Sequence, residues 1–131
     1  MKILVVDDEP VSRMKMKRIM SNFGICIALN NGSSAVSTFQ KALGYREPFD
    51  IVTLDISMPD MDGMEVLARF RQIEVGFKIP KEEQAVILMV TGESDQATVL
   101  ESIELGCNDY VSKPFKKEII TEKLRKLGFD L

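Results

Sequence analysis

Short apolar runs the length of a strand alternate five times with stretches of helical periodicity, and few folds accommodate that order. The runs are Ile3–Val6, Ile25–Leu29, Ile51–Leu54, Ala85–Val90 and, more weakly, Tyr110–Val111. They are rich in Val, Ile and Leu and nearly continuous, the pattern of strands buried on both faces of a parallel sheet. Between them, apolar residues recur at helical spacing. The first such stripe is Met16, Ile19, Met20 and Phe23, with Pro10 near the expected start and Gly24 at the end. The second is Val36, Phe39, Ala42 and Leu43, with Ser33 or Ser34 as N-cap and Gly44 as C-cap. Val66, Phe70, Ile73 and Phe77 form the third. Val99, Leu100 and Ile103 form the fourth, after Ser94 or Asp95 and before Gly106, and Ile120, Leu124 and Leu127 the fifth. This order predicts an α/β fold: a doubly wound, five-stranded parallel sheet with five helices on its two faces. With 131 residues, no repeat and no linker, residues 1–131 read as one domain. The Met1 start and the stop soon after the fifth helix are expected to mark a whole chain, not a domain excised from a longer one.

The chain contains no histidine. That excludes Ser-His-Asp and Cys-His nucleophile pairs, zinc held by imidazole, and a phosphohistidine carried on this chain. Cys26 and Cys107 are far apart and form no CxxC, so they read as reduced thiols in or near the core of a cytoplasmic protein. No apolar run approaches the ~20 residues of a membrane-spanning helix, and carboxylates interrupt the N-terminus too early for a signal peptide. The net charge of −3 gives no general attraction to nucleic acid, and no recognition-helix module is present, so no direct DNA binding is expected. Chemistry must therefore run on carboxylates, hydroxyls, lysine and any metal they hold.

In an open α/β sheet, ligands bind beyond the carboxyl ends of the strands. There the sequence puts Asp7-Asp8-Glu9, Asp55 with Ile56–Gly63 behind it, Thr91-Gly92-Glu93, and Ser112-Lys113-Pro114-Phe115. If the sheet forms, three carboxylates, a hydroxyl and an ammonium share one edge. Neighbouring carboxylates raise one another's cost of ionisation, and a divalent cation removes the conflict. One or two carboxylates plus water suit Mg²⁺. Such a site can position and neutralise a phosphoryl group, and a carboxylate can itself be the nucleophile.

The four strand-end segments together resemble the receiver domain of two-component response regulators, in particular a stand-alone receiver of the chemotaxis type. Ile3–Pro10 is similar to its first strand and acidic pair, and Leu54–Gly63 to its acceptor loop. Val90-Thr91-Gly92 and Asp109–Phe115 are similar to its two remaining signatures. The resemblance covers nearly the whole chain. It implies a flavodoxin-like sheet of order 2-1-3-4-5. It implies that Asp55 accepts a phosphoryl group from a sensor histidine kinase or a histidine phosphotransfer protein. Mg²⁺ would be bound by the side chains of Asp8 and Asp55 and the backbone carbonyl of Ser57, supported by Asp7. Lys113 would pair with Asp55 at rest and with the phosphoryl group afterwards. Thr91 would turn its hydroxyl to that group, Tyr110 would follow inward, and the surface around the fourth helix, fifth strand and fifth helix would change its affinity for a downstream effector protein. A cis Lys113–Pro114 bond is also implied. On this reading the chain is no enzyme beyond its own phosphorylation and slow dephosphorylation.

Several alternatives remain at this level. The chain could be the receiver domain of a larger regulator or hybrid kinase. A Mg²⁺-dependent aspartyl-phosphate phosphatase of the haloacid-dehalogenase type needs an acid two residues after its nucleophile, where this chain has Ser57, and a cap domain for which 131 residues leave no room. A flavin binder would place an anionic phosphate beside acidic strand ends, and a constitutive module would not require the intact acidic set. Ser57 and Glu93 occupy positions that tune phosphoryl lifetime in the resembled family. Asp60, Asp62 and Gly63 are expected to shape the turn and the start of the third helix. Met14, Met16 and Met20 are expected in the core, and Met58, Met61 and Met64 either there or on a partner surface. Arg13, Lys15, Lys17 and Arg18 read as a solvated helix face, or else as a surface that steers a partner.

Overall fold

The computed structural model describes residues 1–92 and 96–131, the side chain of Gln96 excepted. Five parallel strands, β1 (Lys2–Val6), β2 (Ile25–Leu29), β3 (Ile51–Asp55), β4 (Val86–Thr91) and β5 (Asp109–Ser112), lie in the order β2-β1-β3-β4-β5. The helices between and after them are α1 (Pro10–Met20), α2 (Gly32–Gly44), α3 (Gly63–Gly76), α4 (Gln96–Glu104) and α5 (Lys117–Lys126). The expected strand order and helix count are those observed.

The period of two along each strand divides the core. Leu4 and Val6 of β1 face a layer containing Phe39 of α2 and Phe70 of α3, whose rings stack 4.1 Å apart. Ile3 and Val5 face the opposite layer, with Met16 and Met20 of α1 and Ile120 and Leu124 of α5. Such two-sided burial is why the strand sequences carry almost no polar residues before their carboxyl ends.

Local details depart from expectation in ways that have physical causes. The N-cap of α2 is Asn31, whose Oδ1 accepts from the Ser34 amide at 2.8 Å; Ser33 and Ser34 lie inside the helix, and Gly44 is its last residue rather than a cap. At the start of α1 the cap is Glu9, with Pro10 in the first turn, and the helix stops at Met20, before Gly24. Gly24 is needed for another reason: a Cβ there would collide with the Met1 carbonyl. Phe77 lies past the end of α3 and is 43% exposed. On α4 the expected apolar stripe is turned outward: Leu100 and Ile103 are exposed, while Ser102 is fully buried and donates to the Val99 carbonyl at 2.7 Å. A buried hydroxyl bonded to its own helix costs little, so the phase of α4 is not set by its largest apolar residues. Ser94 and Asp95, proposed as its cap, lie outside the described residues. Met14 is exposed, unlike Met16 and Met20; Met58 is buried, and Met61 and Met64 pack against the core.

At the amino end of the sheet, Glu74 is 1% exposed and paired with Arg71 at 2.7 Å, while its second oxygen accepts from the Ala85 amide. Arg71 also donates to the carbonyls of Ala85 and Gly106 and to Asn108. This network ties α3 to the entry of β4 and the α4–β5 turn. Removing one partner of a buried pair leaves an uncompensated charge. Arg71→Met is therefore expected to lower the unfolding free energy by about 3 kcal/mol, whereas Arg69→Met, which breaks an exposed pair with Glu65, should cost under ~0.5 kcal/mol; urea denaturation of both variants makes the comparison.

Candidate functional site

β1 and β3 are neighbours in register, with Val6 opposite Leu54, so the residues that follow them leave the sheet side by side. One carboxylate oxygen from each of Asp7, Asp8 and Asp55 lies within 4.8 Å of the others. Asp7 and Asp55 are buried and Asp8 is half-buried. Thr91 ends β4 beside Ser112 of β5. Lys113 follows β5, its amide donating to the Thr91 carbonyl at 2.8 Å and its peptide bond to Pro114 cis. The Lys113 ammonium lies 3.2 Å from Asp7 and 3.5 Å from Asp55, bridging the two acids rather than serving Asp55 alone.

Local structure sets each side chain. The Asp7 carboxylate accepts from the Glu9 amide at 2.9 Å, and Asp55 from the Ser57 amide at 3.4 Å. Gly63 donates its amide to the Ile56 carbonyl at 2.8 Å, and a Cβ on it would strike the backbone of Asp55 and Ile56. Its expected role at the helix start is thus a close approach that folds the loop over the Asp55 backbone. Asp62 caps α3 by accepting from the Glu65 amide at 2.9 Å. Nearby backbone amides, that of Met61 foremost, hold the Asp60 carboxyl below the usual range. Ser57 lines an open cleft with Asp8, Asp62, Thr98 and Glu101.

Two electrostatic features mark the site as incomplete. Burial and the charge of Asp7 push the Asp55 carboxyl up to about 7, against the opposing pull of Lys113. Burial also works against the Lys113 ammonium, but Asp55 and Asp7 outweigh it and hold its pKa above the ordinary lysine value. The Thr91 hydroxyl is buried with no hydrogen-bond partner among the described residues. A buried unpaired hydroxyl costs about 1–3 kcal/mol, so it calls for a group that the described residues do not supply. An all-oxygen donor set with a surplus of negative charge fits a hard divalent cation, and the orphaned hydroxyl fits an oxyanion next to it.

The switch candidate Tyr110 is half-buried. It packs partly against the core, and the Lys123 ammonium lies 4.6 Å above its ring while also pairing with Asp109 at 3.0 Å. An open groove of about 400 Å³ runs from Tyr110 past Pro114 and Phe115 to Ile119. Glu93, the candidate lifetime position, lies outside the described residues.

Two cations on α1 are not simply solvated. Arg13 donates to the Asp7 carbonyl at 3.0 Å and, more weakly, to that of Asp8 at 3.4 Å. Lys15 donates to the Phe115 carbonyl at 2.6 Å. The Arg13 contact had a signal in the sequence, since a helix beginning at Pro10 carries it back over the preceding turn. The Lys15 contact had none, because 100 residues separate the partners. Cys26 and Cys107 are both free, and burial raises both thiols, so neither is an activated nucleophile.

The crowding has a consequence for stability. Where the folded pKa of an acid exceeds its unfolded value, the native state holds the extra proton, and stability falls as pH rises between the two values. For Asp55 that window runs from 3.8 to about 7. In EDTA, Asp55→Asn should match wild type near pH 4 and exceed it by on the order of 2 kcal/mol at pH 8, read from urea curves at each pH. A wild type that stays the more stable at pH 8 would contradict the crowding.

Comparison with known proteins agrees with this geometry. Residues 3–125 match the response regulator receiver domain family. The chemotaxis protein CheY of Bacillus subtilis is 33% identical over 127 residues, covering 95% of both chains. The hybrid signal transduction histidine kinase L of Dictyostelium discoideum is 30% identical over 97% of this chain, which spans 7% of that protein. The crystal structure of Vibrio cholerae chemotaxis protein CheY4 superimposes with a TM-score of 0.77 at 25% identity, covering 95% of this chain and 96% of that one. The chain belongs to the response regulator receiver domain family and is a CheY-like receiver domain of two-component signalling.

Proposed function

We propose that the chain, acting as a single receiver unit over residues 1–131, takes a phosphoryl group from a phosphohistidine of a sensor kinase or phosphotransfer protein onto Asp55, and thereby alters a protein-binding surface. The observation that carries this reading is the convergence of Asp7, Asp8 and Asp55 opposite the Lys113 ammonium, beside the unpartnered hydroxyl of Thr91. Asp7, Asp8 and Asp55, with the Ser57 carbonyl, would hold Mg²⁺, which when bound supplies positive charge to the phosphoryl oxygens. An Asp55 oxygen attacks phosphorus in line. The phosphorus–nitrogen bond breaks, its electron pair returns to the imidazole, and the aspartyl phosphate forms. Lys113 neutralises developing charge on one phosphoryl oxygen, and Thr91 donates to another. Catalysis extends only to the chain's own phosphorylation and slow dephosphorylation.

Output then rests on differential binding, because phosphorylation shifts a two-state equilibrium only by contacts that differ between the states. Thr91 moving toward the new oxyanion would vacate space for Tyr110, which starts half-buried at the rim of the β5–α5 groove. Exposed Leu100 and Ile103 on α4 and Ile119 on α5 supply apolar surface suited to an effector. A cytoplasmic setting fits these partners, and among the described residues no helix is long and apolar enough to cross a membrane. The likeness to a short segment of a hybrid kinase supports a second setting, the same site serving as one receiver of a longer relay.

Acetyl phosphate with Mg²⁺ should add one hydroxylamine-labile phosphoryl group to wild type by intact mass, and none to Asp55→Asn; EDTA should abolish the gain. Labelling that survives in Asp55→Asn would exclude Asp55 as acceptor. Steady turnover of a small phosphate ester would point instead to a phosphatase.

A further inference from the structure

We propose that Lys15 is a positioning residue for Lys113, acting across the molecule through the backbone of Phe115. This rests on the reading of Asp55 as acceptor. The Lys113 ammonium works at the end of a four-carbon stem, 3.2 Å from Asp7 and 3.5 Å from Asp55, close to the outer reach of a useful ion pair. Its placement therefore depends on the backbone that carries it. On the amino side that backbone is fixed by the Lys113 amide on the Thr91 carbonyl. On the other side Pro114 has no amide to donate, and α5 begins at Lys117, its N-cap residue Lys116 making no side-chain cap bond.

Lys15 fills that role. Its ammonium donates to the Phe115 carbonyl at 2.6 Å and stands 4.9 Å from the centre of the Phe115 ring, which is itself buried in the core. A charge-assisted hydrogen bond and a cation–π contact converge on Phe115, between the lysine turn and α5. Lys15 projects from the middle of α1, the helix that leaves the acidic pair, and Arg13 on the same helix holds the carbonyls of Asp7 and Asp8. One helix thus grips both arms of the site, the acidic arm through Arg13 and the ammonium arm through Lys15. A shift of the ammonium by about 1 Å is enough to impair stabilisation of a transferring group.

Lys15→Met keeps the stem and loses the donor; Lys15→Arg restores it. With saturating acetyl phosphate and Mg²⁺, Lys15→Met should label about five- to tenfold more slowly than wild type, and Lys15→Arg within about twofold of it. Calorimetric Mg²⁺ affinity should not fall in either variant, because Lys15 does not touch the acidic arm and a displaced Lys113 ammonium only frees Asp7 and Asp55 for the cation. The Lys113 ammonium resonance in ¹⁵N-lysine spectra should move in Lys15→Met and return in Lys15→Arg. Ile120→Val, a core truncation on α5, controls for stability and should label at the wild-type rate. Wild-type labelling in Lys15→Met overturns the proposal. So does a slow rate accompanied by an equal loss of Mg²⁺ affinity, or an equal slowing in Ile120→Val. A wild type that takes no label refutes the acceptor reading instead, and the Lys113 resonance then decides the Lys15 contact by itself.

Discussion

The crowding of three carboxylates at the carboxyl edge of the sheet is the interaction on which the rest depends. Left to themselves, Asp7, Asp8 and Asp55 would repel one another and favour exposure. They are held together because β1 and β3 are paired in the buried centre of the sheet, and the hydrophobic layers on its two faces fix that pairing. Free energy from apolar burial is thereby stored as electrostatic tension at one point, where a cation and an oxyanion would release it. The raised pKa of Asp55 and the orphaned Thr91 hydroxyl are two expressions of that tension.

The surroundings divide into parts bonded closely to the site and parts packed less completely. Glu9, Gly63 and the helix caps fix the acidic arm through short local bonds. The Arg71–Glu74 network locks the opposite end of the sheet. By contrast, Tyr110 is neither fully packed nor fully exposed, and the outward-turned apolar residues of α4 make few claims on the core. A closely bonded site beside a less completely packed face is compatible with the proposed switch, since a ligand or modification redistributes two states only by contacts that differ between them.

Much of this was legible in the residues. Two-sided strand burial leaves nearly continuous apolar runs, so β1, β3 and β4 were plain, whereas β5, with Asp109 and a half-buried tyrosine, left only a faint signal. Asp7, Asp8, Asp55, Thr91 and Lys113 stand immediately at or after strand ends, and a parallel sheet brings such positions to one edge. Less visible were choices decided by packing. The face that α4 buries carries Ser102, whose self-bonded hydroxyl hydrophobic periodicity does not register. Asn31, rather than a serine, caps α2, because any short polar side chain before a helix satisfies the same amides.

The sequence by itself determined the alternation of strand and helix, the absence of imidazole chemistry, and the set of acidic, hydroxyl and lysine residues available at strand ends, because these follow from local periodicity and composition. Only the tertiary structure decided which oxygens face one another, that the Lys113 ammonium bridges Asp7 and Asp55, that the Thr91 hydroxyl finds no partner among the described residues, and that Lys15 reaches a carbonyl 100 residues away. Those are distances between segments remote in the chain. They are set by how whole layers pack, and no local pattern encodes them.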